Sequence, residues 1–229
     1  MSSGHKVPFV TRHARNGMVC TIDHLASGAG IAAMRKGGSA VDAAIAASAV
    51  LAVTSQHMCG MGGDLWALVH VPGENQPRAL NASGRSGSGA DLARLKSDGF
   101  DEMPFRNDPR SIPVPGCVDG WCALHREFGR LPLEQVLQDA IGLAEDGFPI
   151  SAECAEATHM LNGVDHSQDY FRDGTPQPGA IIRRPGVAQV MREIATSGRD
   201  AFYGGDFGDE LIRFGAGEYS EQDLATSQS

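Results

Sequence analysis

The sequence predicts an α+β fold, with a helix/sheet lobe over residues 17–115 and a helical lobe over 116–229. Three observations carry this expectation. The glycine turn Gly37-Gly38 leads into an almost wholly apolar run, Ser39-Ala40-Val41-Asp42-Ala43-Ala44-Ile45-Ala46-Ala47, which packs as a buried helix. Two short runs of strand character follow, at 65–71 and 78–81, and strands beside a buried helix imply helix and sheet layers. Past residue 115 the apolar residues recur at helical spacing.

Along the chain, residues 1–16 read as an arm. Met18-Val19-Cys20-Thr21-Ile22 reads as a short buried strand that ends at Asp23-His24. Ser27 is a candidate N-cap for a helix through Lys36, and Gly37-Gly38 supply its left-handed C-terminal turn. Asp42 falls near the start of the next helix, where its charge suits the dipole. Ala43, Ile45, Ala46, Ala49, Val50 and Val53 cover more than one face of that helix. The glycine loop His57-Met58-Cys59-Gly60-Met61-Gly62-Gly63-Asp64 connects it to the first strand, and Pro72-Gly73-Glu74-Asn75 turns the first strand into the second.

Segment 82–115, with Pro104, Pro109, Pro113 and Pro115, reads as irregular. Val118, Trp121, Cys122, Leu124 and His125 then keep helical spacing until Gly129. Leu133, Val136, Leu137, Ala140, Ile141 and Ala144 form the next stripe, which Gly147 stops. Ser151 is a candidate cap for a helix to about residue 161. Pro185 opens another, with Val187, Val190, Met191 and Ile194 apolar. Residues 207–214 are a short amphipathic candidate, and Ser220-Glu221-Gln222-Asp223 reads as a helix start.

Composition narrows the function classes. The 229 residues are 41% hydrophobic and 21% charged, and the 29 glycines and 12 prolines are dispersed, as in a globular chain. A formal charge of -9 without a Lys/Arg cluster argues against nucleic acid. The densest basic pair, Arg183-Arg184, reads as a solvated approach to a helix. The apolar run at 43–53 is too short and alanine-rich to span a membrane, and Met1-Ser2-Ser3-Gly4-His5-Lys6 lacks the apolar core of a secretory signal. Five cysteines (Cys20, Cys59, Cys117, Cys122 and Cys154) at irregular spacing suit reduced thiols, so a cytoplasmic location is expected.

No cofactor and no metal is expected. His57 with Cys59 gives two ligands, and Cys117 with Cys122 has the wrong gap for a zinc knuckle, so these read as packed thiols. Gly60-Met61-Gly62-Gly63 lacks the Lys-Ser/Thr of a phosphate cradle and reads as close helix–strand packing. Cys20, near His24, reads as a reduced core cysteine rather than a nucleophile. Asp139, Glu145 and Asp146 read as the solvated side and end of a helix, Trp121 as core, and Asp169-Tyr170-Phe171 as a surface turn with one buried ring.

With the elements placed, an ordered set of motifs resembles the gamma-glutamyltransferase family over most of residues 17–225. Gly17-Met18-Val19 with His24-Leu25-Ala26-Ser27 is similar to the family's first strand and helix start. Gly37-Gly38-Ser39-Ala40-Val41-Asp42-Ala43-Ala44 is similar to its most recognisable sequence, and 57–63 to the glycine loop after it. Val114-Pro115-Gly116, Gly120-Trp121, Phe128-Gly129, Leu131-Pro132-Leu133, Ala144-Glu145-Asp146-Gly147-Phe148, Asp200-Ala201-Phe202-Tyr203 and Asp223-Leu224-Ala225 continue the order.

The resemblance implies part of an N-terminal-nucleophile-hydrolase αββα sandwich plus a helical lobe. In that family a self-cleaving proenzyme exposes a threonine as the first residue of a small subunit. The threonine hydroxyl attacks an amide, and its own α-amine serves as the base that activates it. Backbone N–H groups hold the oxyanion. Thr11, Thr21, Thr54, Thr158, Thr175, Thr196 and Thr226 all lack the family's Thr-Thr-His processing context. The resemblance therefore implies a front portion of the large subunit, inactive alone, with no catalytic residue of its own. Its partners would be a small-molecule amide substrate and the small, nucleophile-bearing subunit or missing C-terminal part, with a homo-oligomer left open. The alternative is a truncated, non-catalytic chain acting only through association.

In glutamyl-specific members an arginine just after the second strand holds the substrate α-carboxylate, because a guanidinium's parallel N–H donors match a carboxylate. An ungapped match puts Ser83 at that position in Leu80-Asn81-Ala82-Ser83-Gly84-Arg85-Ser86-Gly87, and Arg85 two residues later. If the strand continues, Arg85 returns to the same face. Ser83 and Arg85 are therefore the substrate-binding candidates, and donors other than glutamyl remain open.

Overall fold

A computed structural model describes residues 11–105, 108–164 and 167–226. The first helix, α1 (His24–Arg35), starts earlier than Ser27 because the Asp23 carboxylate takes the Leu25 N–H at 2.7 Å and becomes the N-cap. Ser27 lies inside the helix, with its hydroxyl 2.7 Å from that of Thr21. The helix ends on Gly37 at φ 92°, where the Gly37 N–H donates to Met34 O and the Gly38 N–H to Ala33 O. That pattern is the paired C-terminal motif which only glycine enters without strain.

Helix α2 (Ala40–Thr54) is buried nearly all round and packs against α1. Ser39 and Asp42 form a reciprocal capping box, with Asp42 N donating to Ser39 Oγ (3.0 Å) and Ser39 N to Asp42 Oδ2 (2.7 Å). The same Oδ2 also accepts from the N–H groups of Arg130 (2.9 Å) and Leu131 (3.3 Å). Asp42 is 0% exposed and thus ties the start of α2 to a turn far along the chain.

Strands β1 (Leu65–Val69) and β2 (Arg78–Ala82) form an antiparallel hairpin with Leu65 opposite Ala82 and Val69 opposite Arg78. Directly opposed residues share a face. Leu65 and Ala82 lie against Gly120 on the inner side, whereas Trp66 (63% exposed) and Leu68 (76% exposed) point outward with Asn81 and Ala79.

Residues 83–116 contain more structure than expected. Helix α3 (Leu92–Ser97), capped by Asp91, and a 3-10 turn (Pro109–Ser111) interrupt them. Leu95 is the one buried residue of α3, so the sequence carries no apolar period there.

Helices α4 (Cys117–Phe128) and α5 (Leu133–Asp146) follow as expected, with Val118, Trp121, Leu124, Val136, Leu137, Ala140 and Ala144 inside. Trp121 donates its indole N–H to Ser48 Oγ at 3.0 Å, which fixes α4 against α2. A two-residue pairing of β3 (Phe148–Pro149) with β4 (Ile181–Ile182) encloses α6 (Ala152–Ala157), which runs into a 3-10 turn (Thr158–Leu161). Pairs this short leave no alternating pattern to read. Helix α7 (Pro185–Ser197) packs on α5, α8 (Arg199–Tyr203) on α7, then α9 (Asp206–Gly215) and α10 (Glu221–Thr226) close the chain. One buried cluster runs from Ala26 to Leu224, across residue 115.

The expected strand at 18–22 is not formed. The segment lies outside the strands found among the described residues, and Met18 and Ile22 are more than half exposed. A strand needs a neighbour for its N–H and C=O groups, and no described strand pairs with this one. Cys20 is accordingly exposed, not a core thiol.

Candidate functional site

Ser83 and Arg85 lie on the same short segment, 82–89, but not for the reason the sequence suggested. Strand β2 ends at Ala82, so alternation along the strand does not reach Arg85. Two backbones instead hold the segment from opposite ends. On one side, Gly84 sits at φ 79°, and a Cβ there would fall 1.9 Å from Val114 O. The Val114 N–H donates to Arg85 O at 2.8 Å, and a Cβ on Gly116 would fall 2.1 Å from Ala82 O. On the other side, Cβ atoms on Gly87 and Gly89 would fall 1.9 Å from Glu218 O and 1.8 Å from Gly217 O. These glycines are there because backbone meets backbone.

Between the two clamps Arg85 is exposed, and among the described residues no acid pairs with its guanidinium. The nearby carboxylate of Glu218 is taken by Arg94, which also donates to Gly89 O at 3.1 Å. Ser83 is half-buried, with its N–H donating to Asn81 Oδ1 at 3.1 Å. A forked cation without an acidic partner, on one short segment with a half-buried serine, is an arrangement that can receive a carboxylate.

The glycine loop reaches the same corner. Gly63 O accepts from the N–H groups of Gly116 (3.1 Å) and Cys117 (3.0 Å), which places the loop at the start of α4 beside Ala82. The loop glycines do not serve close helix–strand packing, however. A Cβ on Gly60 or Gly62 meets nothing within 4 Å, and the tight approaches belong to Gly116 and Gly120.

The other chemical candidates sort plainly. Among the described residues no group of three or more His, Cys, Asp or Glu is placed to hold a metal. Cys59 is exposed rather than packed. Burial pushes the Cys117 thiol up to about 12 and that of Cys122 to about 11 and raises Cys154, and the neighbouring protein that shields one side of the exposed Cys59 raises it as well. None of these four carries a thiolate at neutral pH.

Asp169-Tyr170-Phe171 is a turn with Tyr170 buried. Arg184 is not solvated as expected. It lies 4.9 Å over the Tyr170 ring, donates to Tyr170 Oη at 3.0 Å and pairs with Gln56 next to the glycine loop. Arg183 beside it is exposed. Residues missed from sequence are Arg94, which reaches back to Gly89 from the adjoining α3, and Glu218 and Asp223, which come to the 82–89 segment from the far end of the described chain.

A family model described as gamma-glutamyltranspeptidase matches residues 26–228. The chain is 40% identical over 210 residues to the oxamate amidohydrolase proenzyme of Klebsiella pneumoniae, covering 86% of this chain and 39% of the relative. It is 38% identical over 201 residues to a glutathione hydrolase-like proenzyme of Bacillus subtilis, covering 85% and 38%. The structure superposes on that of a cephalosporin acylase from Bacillus halodurans with a TM-score of 0.86 at 31% identity, over 100% of this chain and 46% of the acylase. The chain thus spans about two fifths of the length of the curated relatives it matches.

Proposed function

The chain belongs to the gamma-glutamyltranspeptidase family, and we propose that it forms the N-terminal portion of a proenzyme that hydrolyses or transfers the acyl group of a small carboxylated amide. The nucleophilic threonine comes from polypeptide beyond these residues. Its hydroxyl adds to the amide carbonyl while its α-amine takes the proton, and the amine leaves from the tetrahedral adduct with that proton. Water or an acceptor amine then releases the acyl group.

The portion described here contributes substrate recognition rather than chemistry. Arg85, fixed between two backbones and without an acidic partner among the described residues, receives the donor carboxylate, and the Ser83 hydroxyl flanks it. That free guanidinium is the observation that carries the reading. The names of the relatives support it, since oxamate and glutathione are both carboxylated amides.

The test compares the complete protein with residues 1–229 alone, using oxamate and glutathione as donors. The complete protein cleaves itself ahead of a threonine and turns over one of them, whereas the isolated piece turns over neither. Amide turnover by the isolated piece, or full activity in an uncleaved complete protein, would overturn the reading.

The outward face of the hairpin makes a second expectation. Trp66 and Leu68, both more than half exposed, are apolar surface that the rest of the proenzyme covers. Isolated 1–229 self-associates in light scattering, and a monodisperse monomer with a sharp melting transition would contradict the assignment of that face. Among the described residues no helix is long and apolar enough to cross a membrane.

A further inference from the structure

Segment 83–89 ends in a connection that neither the fold nor the proposed chemistry requires. One oxygen of Asp223, Oδ2, accepts from Ser88 N (3.0 Å), Ser88 Oγ (2.8 Å), Ser220 N (2.8 Å) and Ser220 Oγ (2.8 Å). The Ser220 half is an ordinary helix start, because Asp223 N in turn donates to Ser220 Oγ at 3.3 Å and α10 begins at Glu221. The Ser88 half comes from outside the helix start, and Ser88 Oγ also lies 3.2 Å from Ser220 Oγ. It joins α10 to a residue 135 positions earlier, three residues beyond Arg85.

The neighbouring contacts point the same way. Gly89 N donates to Glu218 O at 3.1 Å, and Arg94 joins Glu218 to Gly89 O. Burial raises the Asp223 carboxyl, but the donors of Ser88 and Ser220 outweigh it, so the group sits below the ordinary carboxylate range and accepts these bonds as an anion.

We propose that Asp223, acting through Ser88, is a positioning residue for Arg85 in donor binding. The proposal rests on the reading of Arg85 as the carboxylate-binding group. Residues 84–85 are held at one end by Val114 and 87–89 at the other by the 217–223 segment, so Arg85 closes the first hold and Ser86 alone separates it from the second. An arginine whose main chain is held on both sides has only its side-chain torsions left to order when a carboxylate binds. Released at one end, the main chain must be ordered by the substrate, and that cost appears as weaker binding.

The test uses the complete, processed enzyme and one carboxylated donor amide. Asp223→Ala raises KM about tenfold while kcat changes by about twofold or less. Asp223→Asn keeps one acceptor and recovers part of that loss. Ser88→Ala deletes the hydroxyl's bond to Asp223 Oδ2 and its 3.2 Å contact with Ser220 Oγ, leaves the Ser88 N–H bond and the Asp223 N–H to Ser220 Oγ bond in place, and raises KM about threefold. In an Arg85→Ala background neither change raises KM further, because the residue being positioned is gone.

Unchanged KM in Ser88→Ala and Asp223→Asn, with Arg85→Ala still impaired, overturns the positioning role and leaves Arg85 in place. An equal rise in the Arg85→Ala background also overturns it, since Asp223 would then act on something else. If Arg85→Ala itself leaves KM unchanged, the binding reading fails and takes this inference with it. Should Asp223→Ala fold poorly, Ser88→Ala and Asp223→Asn decide, because a weakened α10 start raises KM equally with and without Arg85, whereas lost positioning raises it only where Arg85 is present.

Discussion

Replacing Arg85 with alanine in the complete enzyme is expected to raise KM for a carboxylated donor amide about 30-fold, with kcat changed by about twofold or less. The magnitude follows from the kind of contact. A hydrogen bond to a charged partner contributes about 1.5–3 kcal/mol, and a forked guanidinium makes two such bonds to one carboxylate. Arg85 forms no competing ion pair among the described residues, so its full donor capacity is available. Because it is exposed, solvent screens the pair, and about 2 kcal/mol, the worth of one such bond rather than two, remains. Arg85→Lys recovers little, since an ammonium is a point charge without the parallel donors. Ser83→Ala removes one neutral hydroxyl and raises KM by about fivefold. Steady-state kinetics on the three variants checks all of this, and an unchanged kcat/KM in Arg85→Ala would remove it from the binding site.

The elements that were legible in the sequence are those whose apolar residues repeat. The stripe of α5 (Val136, Leu137, Ala140, Ala144) and the all-round burial of α2 follow directly from residue spacing. What escaped has one of two physical origins. Some elements are too short to have a period, such as α3 with Leu95 alone inside and the two-residue strands β3 and β4. Others depend on a contact between distant residues. Arg184 looked like half of a solvated basic pair, and it is tertiary contact with Tyr170 and Gln56 that buries it.

The candidate site divides in the same way. The Ser83 and Arg85 segment was visible through its resemblance to a known family. The clamps on it were not, because the O atoms of Val114, Gly217 and Glu218 that meet its glycines are backbone atoms without a sequence signature. The failed strand at 18–22 is of the second kind. Its residues have strand character, but pairing is a property of two segments, and the described residues hold one.

Asp42→Ala is expected to lower the stability of the complete protein by about 3 kcal/mol, read as a shift in denaturation midpoint. Asp42 Oδ2 accepts the N–H groups of Ser39, Arg130 and Leu131 at 0% residue exposure, so alanine strands all three donors at once. It also removes a negative charge from the first turn of α2, where the helix dipole favours one. Asp42 Oδ1 has no hydrogen-bond partner among the described residues. Asparagine can therefore place its carbonyl oxygen where Oδ2 stands and keep the three bonds, losing only the charge and burying an unpartnered amide. Asp42→Asn should cost about 1 kcal/mol, well under half the alanine effect. This contrast separates hydrogen bonding from charge, and equal losses in the two variants would show that charge dominates. Substrate binding should respond differently. Asp42 pins the chain just past the C-terminal end of α4, while Gly63 O pins its N-terminal end at Gly116 and Cys117, next to Ala82. The binding segment is anchored at the second of these points. The folded fraction of Asp42→Ala should accordingly keep its KM, and a rise in KM comparable with that of Arg85→Ala would mean that the two ends of α4 are mechanically coupled.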